Sequence, residues 1–257
     1  MSYLIAVHTD QGISKQSNQD SLCVKEAHTL IGGVAMAVLC DGMGGLAKGE
    51  VASASVILAF SKWFDEELPK QIMRNNYEDD IKRRWNEMIH LENEKIGRFG
   101  KAEGIQLGTT ATILLVINDR RFLIAHVGDS RAYCLNEKMI RQLTEDQTVV
   151  ASEIRAGRLT KEEAAVDPRQ SVLLQCIGAS RQVIPQFLKG KVGKNHMFLL
   201  CSDGFRHMVS DEEMHGVLSP LLLENEESME NGLVRLTELN KERKETDNIS
   251  SILLKIV

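Results

Sequence analysis

The sequence predicts an α+β protein, with strands gathered into sheets and helices set apart from them. Short β-rich segments dominate the chain. The two strongest helical stripes, over residues 48–68 and 80–99, follow one another instead of alternating with strands, and no internal repeat is apparent. Strands grouped apart from helix pairs favour a layered α+β arrangement over a βαβ one.

Residues 3–9, 22–25 and 34–40 read as strands, the third nearly all apolar and therefore central. Residues 48–68 follow as a helix with Val51, Ala54, Leu58, Phe64 and Leu68 as its apolar stripe. Residues 80–99 repeat the pattern with Ile81, Trp85, Met88, Ile89, Ile96 and Phe99, and the two helices are expected to pack side by side over a sheet. Strands over 109–117 and 121–127 bracket Asn118-Asp119-Arg120 as a hairpin turn. Strands over 131–135 and 139–143 bracket Asn136-Glu137-Lys138. From 144 to about 185 the pattern is irregular, with helical pieces over 149–156 and 161–165. Strands resume over 183–188 and 196–201, helices follow over 211–217 and 228–244, and a strand over 249–257 closes the chain.

At 257 residues the chain lies at the upper edge of what one hydrophobic core serves. With only four prolines and no Gly/Ser-rich or charge-block linker to divide it, one domain over 1–257 is expected. No apolar run approaches the ~20 residues of a membrane helix. Met1-Ser2-Tyr3-Leu4 also lacks a basic segment leading into an apolar one, so a cytoplasmic protein without a membrane partner is expected. Cys23, Cys40, Cys134, Cys176 and Cys201 are scattered and contain no Cys-x-x-Cys pair, which argues against a disulfide framework and a thiolate zinc site. Cys40 and Cys201, inside apolar strands, read as small buried hydrophobes. A net charge of −5 leaves no electrostatic footprint for nucleic acid.

The most informative stretch is Val38-Leu39-Cys40-Asp41-Gly42-Met43-Gly44-Gly45, an apolar run that stops at an aspartate and a glycine-rich turn. The same grammar recurs at Phe198-Leu199-Leu200-Cys201-Ser202-Asp203-Gly204 and, more weakly, at Ile124-Ala125-His126-Val127-Gly128-Asp129-Ser130. An aspartate beside a glycine is often only a turn former. Three of them at strand ends, without obvious counter-charges in sequence, are the hard oxygen ligands that hold Mg²⁺ or Mn²⁺.

Asp41-Gly42-Met43-Gly44-Gly45, Gly108-Thr109-Thr110-Ala111, Gly128-Asp129-Ser130-Arg131, Ser202-Asp203-Gly204 and Asp247-Asn248 follow one another in an order that resembles the PPM family. These are the metal-dependent type 2C serine/threonine protein phosphatases, here in their compact bacterial form, and the resemblance runs from about Gly12 to Val257. It implies a four-layer α-β-β-α sandwich, two antiparallel sheets flanked by helix pairs. It also implies hydrolysis of phosphoserine and phosphothreonine in proteins by a metal-bridging hydroxide, without a covalent intermediate. The cofactors would be two Mn²⁺ or Mg²⁺ ions with a third, weaker one. The partners would be phosphorylated proteins, a Ser/Thr kinase or its targets, in signal transduction.

By the same resemblance Asp41 bridges two metals, with the Gly42 carbonyl on one of them. Asp203 and Asp247 complete the first metal, Asp129 with Asp203 holds the third, and Asp20 of Asn18-Gln19-Asp20 holds metal-bound water. Asp41, Asp203 and Asp20 would thus be the catalytic set, and neither Asp41 nor Asp203 is expected to be core. Lys15 stands where relatives place a phosphate-binding arginine, and supplies a point charge but no bidentate fork. Gln19 replaces a glutamate of some relatives, and Met43 a histidine proposed as general acid in eukaryotic ones; a thioether cannot donate a proton. Gln147 and Asp167 replace common histidines near the 144–185 stretch, which resembles a mobile flap. His126, on an apolar strand, reads as a satisfied core residue.

Other readings are weaker. Gly42-Met43-Gly44-Gly45-Leu46-Ala47 fits a dinucleotide-binding G-x-G-x-x-A, but Asp41 would face the pyrophosphate. Ser130 with Asp203 and His207 hints at a serine esterase, yet a spacing of four between the last two fits no triad order. Cys176 to Arg181 and Cys201 to Arg206 are one residue short of a cysteine-phosphatase Cys-x5-Arg. A catalytically impaired, phosphoprotein-binding relative would be marked by a lost metal aspartate, and none is lost.

Overall fold

The computed structural model describes residues 3–29, 32–44, 48–118 and 120–257. Met1, Ser2, Gly45, Leu46, Ala47 and Asp119, to which parts of the sequence reading refer, lie outside the described residues.

The first half of the chain runs β1 (Tyr3–Asp10), β2 (Ser21–Thr29), β3 (Gly32–Cys40), β4 (Gly42–Gly44), α1 (Gly49–Glu66), α2 (Leu68–Gln71), α3 (Tyr77–Glu103), β5 (Leu107–Thr109), β6 (Ala111–Ile117) and β7 (Arg121–Val127). The second half runs β8 (Arg131–Leu135), β9 (Ile140–Gln142), α4 (Val149–Arg155), α5 (Lys161–Ala164), β10 (Gln186–Lys191), β11 (Met197–Cys201), α6 (Asp203–Arg206), α7 (Asp211–Leu218), α8 (Glu226–Glu242) and β12 (Ile249–Ile256).

Two five-stranded antiparallel sheets result, in the orders β1-β12-β11-β8-β9 and β10-β7-β6-β3-β2, with β4 and β5 as a separate pair. Strand β3 shows why its sequence is apolar throughout. Successive side chains point to opposite faces. Val34, Met36 and Val38 pack with Val56, Phe60, Trp63, Trp85 and Ile89 of the α1–α3 pair, whereas Ala35, Ala37 and Leu39 pack with Phe198, Leu200, Ile252 and Leu254 of the other sheet. The outer face of that second sheet, through Tyr133, Leu135, Leu199 and Leu253, is covered by Met214 and Leu218 of α7 and Leu233 and Leu236 of α8. The layers are therefore α-β-β-α, as expected.

Several elements differ from expectation for local reasons. The face that α1 buries is Ala52, Val56, Phe60, Trp63 and Phe64; of the stripe anticipated, Phe64 and Leu68 are buried, whereas Val51 and Leu58 are exposed. Small residues at Gly49, Ala52 and Ser53 let the start of the helix lie against β4 and β2, a signal that a count of large apolar side chains passes over. The helix stops at Glu66 rather than Leu68 because Pro69 sits in the first turn of α2 and cannot continue α1. Thr110 interrupts the single strand anticipated over 109–117. Strand β10 begins only after Pro185, which has no N–H to give a ladder. The 144–185 segment holds α4 and α5 as anticipated, and is fastened by isolated bridges Thr148↔Leu173 and Thr109↔Ile177. All five cysteines are free, with Cys40 and Cys201 wholly buried. Among the described residues no helix is long and apolar enough to cross a membrane.

Candidate active site

Asp41 leaves β3 and enters β4, and three hydrogen bonds fix that backbone. Asp41 N donates to Thr110 Oγ1 at 3.0 Å, while Thr110 N and Thr109 Oγ1 each donate to Asp41 O at 2.9 Å. Thr110 Oγ1 also lies 2.7 Å from Ser130 Oγ, which joins the Gly108-Thr109-Thr110 segment to the loop bearing Asp129. Thr110 and Ser130 are wholly buried, so the serine-esterase reading has no accessible nucleophile. A Cβ on Gly42 would stand 2.4 Å from both Gln19 O and Gly49 O, so only glycine lets the three backbones meet beside Asp41.

Asp203 follows β11 and opens α6. Here Gly204 packs so closely on the last turn before β12 that a Cβ would lie 2.3 Å from Asn248 O. Asn248 is the hub of this side. Its Oδ1 accepts Gln19 N at 3.0 Å, and its Nδ2 donates to Gln11 O at 2.9 Å and Ser17 O at 3.1 Å. The loop carrying Lys15, Gln19 and Asp20 is thereby tied to the turn carrying Asp247.

The structure thus brings Asp20, Asp41, Asp129, Asp203 and Asp247 into one electrostatic neighbourhood. Burial pushes the Asp20 carboxyl up to about 7, the charges of Asp203 and Asp247 add to the rise, and the Ser250 and Ser202 hydroxyls oppose it. Burial likewise raises Asp129 to about 7, reinforced by Asp203 and countered by Arg206. Asp41 is raised well above the carboxylate range by burial and then by Asp20, Asp203, Asp129 and Asp247. Asp203 is buried, contrary to expectation, and Asp41 half-buried.

Both oxygens of Asp20 and Oδ1 of Asp203 are buried without a hydrogen bond of acceptable geometry. Orphaned carboxylate oxygens of like charge fit a hard divalent cation, which would replace the missing donors and cancel the repulsion. The set is open in form: among the described residues, no three His, Cys, Asp or Glu side chains are already arranged as a metal-holding group.

The carboxylates do have counter-charges, contrary to expectation. Lys15 Nζ lies 2.8 Å from Asp247 Oδ1. Burial would lower its pKa, but the bond to Asp247 and the charges of Asp247, Asp41 and Asp203 outweigh this and raise it. Arg206, nearly buried, donates from Nη2 to Asp129 O at 3.1 Å and stands 4.0 Å from Asp129 Oδ2 and 3.6 Å from Asp146 Oδ2. Asp146 itself takes a two-point bond from Arg131, at 2.8 and 2.7 Å. His207 Nε2 lies 3.6 Å from Asp203 Oδ2 and its Nδ1 lies 3.2 Å from Glu245 Oε2. Glu245 and Arg206 carried no signal in sequence. The spacing of four between Asp203 and His207 was the available one, and it marks a one-turn contact rather than a triad.

The remaining candidates are structural. Gln147 braces the 144–185 segment: its Oε1 accepts Gly128 N at 2.8 Å and Gln175 Nε2 at 2.7 Å. Asp167 pairs with Arg169, whose side-chain and backbone hydrogen bonds hold it down to about 2. His126 is wholly buried, with Nδ1 3.0 Å from Thr112 Oγ1, and burial pushes it down to about 4. Its Nε2 has no hydrogen bond of acceptable geometry, so the expected core residue is only half satisfied. Gly42-Met43-Gly44 is a strand paired with Leu107-Gly108-Thr109, not the glycine-rich entry to a nucleotide-binding helix.

Comparison with known proteins bears on the family and the fold. The protein phosphatase PhpP of Streptococcus pneumoniae is 30% identical over 217 residues, covering 84% of this chain and 84% of its own. The solved serine/threonine phosphatase of S. agalactiae covers 100% of both chains with a TM-score of 0.85 at 27% identity. The catalytic domain of the serine/threonine protein phosphatase PstP, solved in complex with two manganese ions, covers 100% of both chains with a TM-score of 0.79 at 28% identity. The sequence model of the protein phosphatase 2C family matches residues 9–240, the span that contains Lys15, Asp20, Asp41, Asp129 and Asp203, and the chain belongs to that family.

Proposed function

We propose that this chain hydrolyses phosphoserine and phosphothreonine in proteins with two divalent cations, Mn²⁺ or Mg²⁺, held by the carboxylates that end its strands. The observation that carries the reading is the set of mutually repelling aspartates with orphaned oxygens around the β3–β4 junction. Asp41 and the Gly42 carbonyl, on a backbone locked by Thr109 and Thr110, would face both ions. Asp203 and Asp247 would complete one of them, and Asp129 with Asp203 a weaker third. Bound there, divalent cations acidify water at neutral pH and neutralise phosphoryl oxygens, the two obstacles to hydrolysing a phosphate monoester.

The chain's own residues do the rest. Asp20, whose two oxygens are buried without a hydrogen bond of acceptable geometry, would accept and orient the hydrogen bonds of water at the site. Lys15, exposed on one side and drawn in by Asp247 on the other, offers its ammonium to the substrate phosphate. Met43 supplies no proton, so the departing serine or threonine oxygen takes one from solvent. The manganese complex of PstP and the phosphatase relatives support the cation and substrate classes. A Ser/Thr kinase or its targets are the proposed physiological substrates.

Hydrolysis of p-nitrophenyl phosphate and of a phosphothreonine peptide, with EDTA and with added Mn²⁺ or Mg²⁺, tests the reading. EDTA should abolish turnover, either cation should restore it, and thiol alkylation should leave it intact. Full activity in excess chelator would overturn it.

A further inference from the structure

Glu245 and His207 stand behind the carboxylate cluster rather than within it. Glu245 is 3% exposed, and its two oxygens have separate tasks. Oε1 accepts Thr246 N at 2.7 Å and Asp247 N at 2.9 Å, which closes the turn that presents Asp247. Oε2 lies 3.2 Å from His207 Nδ1, an ion-pair approach without hydrogen-bond geometry. The opposite nitrogen of that ring, Nε2, lies 3.6 Å from Asp203 Oδ2. His207 caps α6 four residues after Asp203, so the imidazole and the carboxylate share one face of the turn. One buried glutamate therefore grips the backbone of one candidate ligand and, through an imidazole, approaches the carboxylate of another.

A plain structural role would be a buried charge neutralised by its nearest cation. Two observations exceed that role. The imidazole is shared between two carboxylates instead of being spent on Glu245 alone. Asp203 also divides its oxygens, with Oδ2 toward the ring and Oδ1 buried without a partner. Restraint on one oxygen aims the other.

We propose that Glu245 and His207 are positioning residues that set the relative placement of Asp203 and Asp247, and thereby the affinity of the site for its divalent cation. The inference rests on the metal-dependent reading above. Removal of a group that orients a metal ligand typically costs about 10- to 100-fold in metal affinity.

The test is Mn²⁺ titration of the full chain by calorimetry, with p-nitrophenyl phosphate kinetics across Mn²⁺ concentrations, for the parent protein, Glu245→Gln, His207→Ala and His207→Gln. Glu245→Gln and His207→Ala should weaken Mn²⁺ binding by about 10- to 100-fold. Saturating Mn²⁺ should restore most of kcat and leave KM for the phosphoester unchanged, because the substrate contacts are intact. His207→Gln, which keeps a donor at a similar reach, should recover part of the lost affinity. Near-isosteric Glu245→Gln keeps the test decisive if His207→Ala does not fold. Unchanged Mn²⁺ affinity in Glu245→Gln and His207→Ala, with only a lower melting temperature, would reduce the pair to a structural role and overturn the inference. A parent protein that binds no Mn²⁺ and turns over in chelator would instead overturn the functional reading beneath it.

Discussion

Asp41 and Lys15 show what a single residue contributes here. Asp41 is held from both backbone ends by Thr109 and Thr110, so changing its side chain leaves the locked main chain alone. Asp41→Asn should lower kcat by several powers of ten with the melting temperature maintained or raised, since a repelled charge is removed. Near wild-type turnover in this variant would disprove the bridging role. Lys15 is a different case, because its ammonium already has a partner in Asp247. A lysine offers phosphate one direction of approach where arginine offers a two-point fork. Lys15→Arg should lower KM for a phosphopeptide by up to about tenfold, the worth of one added charge-assisted hydrogen bond. Lys15→Ala should raise KM more than it lowers kcat. Unchanged KM in both would show that Lys15 serves Asp247 alone. The strand-end aspartates were legible in sequence because each is flanked by glycine after an apolar run. Glu245 was not, because a glutamate between Lys244 and Thr246 on a charged segment looks like any solvated surface residue until the fold closes over it.

At the scale of elements, unbroken apolar runs told most of the story where both faces of a strand are buried, and helical faces were harder. Strand β3 was recognised as central because its apolar residues run without a break, and β11, apolar throughout, is the middle strand of the other sheet. Helix α1 was placed correctly, but its buried face was misread in the first three turns, because that face begins with Gly49, Ala52 and Ser53 and only later reaches Val56, Phe60 and Trp63. Large residues attract attention in a sequence; small ones mark where backbones must touch. The difference can be measured. Phe60 is wholly buried and edge-on to Trp85, with ring centroids 5.8 Å apart, whereas Leu58 is exposed. Phe60→Ala should destabilise the protein by about 3–5 kcal/mol and Leu58→Ala by less than about 0.5 kcal/mol. Denaturant midpoints compared at constant slope decide the matter, and equal losses would restore the face read from sequence. One-turn α6 escaped notice because four residues hold no period, although it carries Asp203 and Arg206 and delivers His207.

For the whole molecule, the carboxylate cluster sets a balance between folding stability and cation binding. In the unfolded chain aspartates titrate near 4, whereas in the folded protein Asp20 and Asp129 titrate at about 7. Between those values the folded state binds more protons, so without a cation its stability falls as pH rises and recovers as pH drops. Burial would lower the His207 pKa, but the Glu245 carboxylate and the charge of Asp203 together outweigh it and raise the value, so His207 acts in the same direction. His126 acts in the opposite direction. Burial lowers it to about 4, so it costs stability once the pH falls below the ordinary histidine value near 6.5. Between pH 8 and pH 6.5 the aspartates outweigh His126, because the unfolded histidine is only about half protonated at pH 6.5 and costs about 0.4 kcal/mol there, while Asp20 and Asp129 both take up protons in the folded state. In EDTA the protein should be more stable at pH 6.5 than at pH 8 by on the order of 1 kcal/mol, or a few degrees in Tm for a chain of this size. A divalent cation replaces those protons. Added Mn²⁺ should therefore raise Tm at both pH values, and by more at pH 8, where Asp20 and Asp129 are mostly ionised and fewer protons need be displaced. Thermal melts in EDTA and in Mn²⁺ at the two pH values measure all four terms. A Tm in EDTA that rises from pH 6.5 to 8, together with no Mn²⁺ shift at either, would mean that the aspartates do not repel one another in the folded protein and that no cation draws them together.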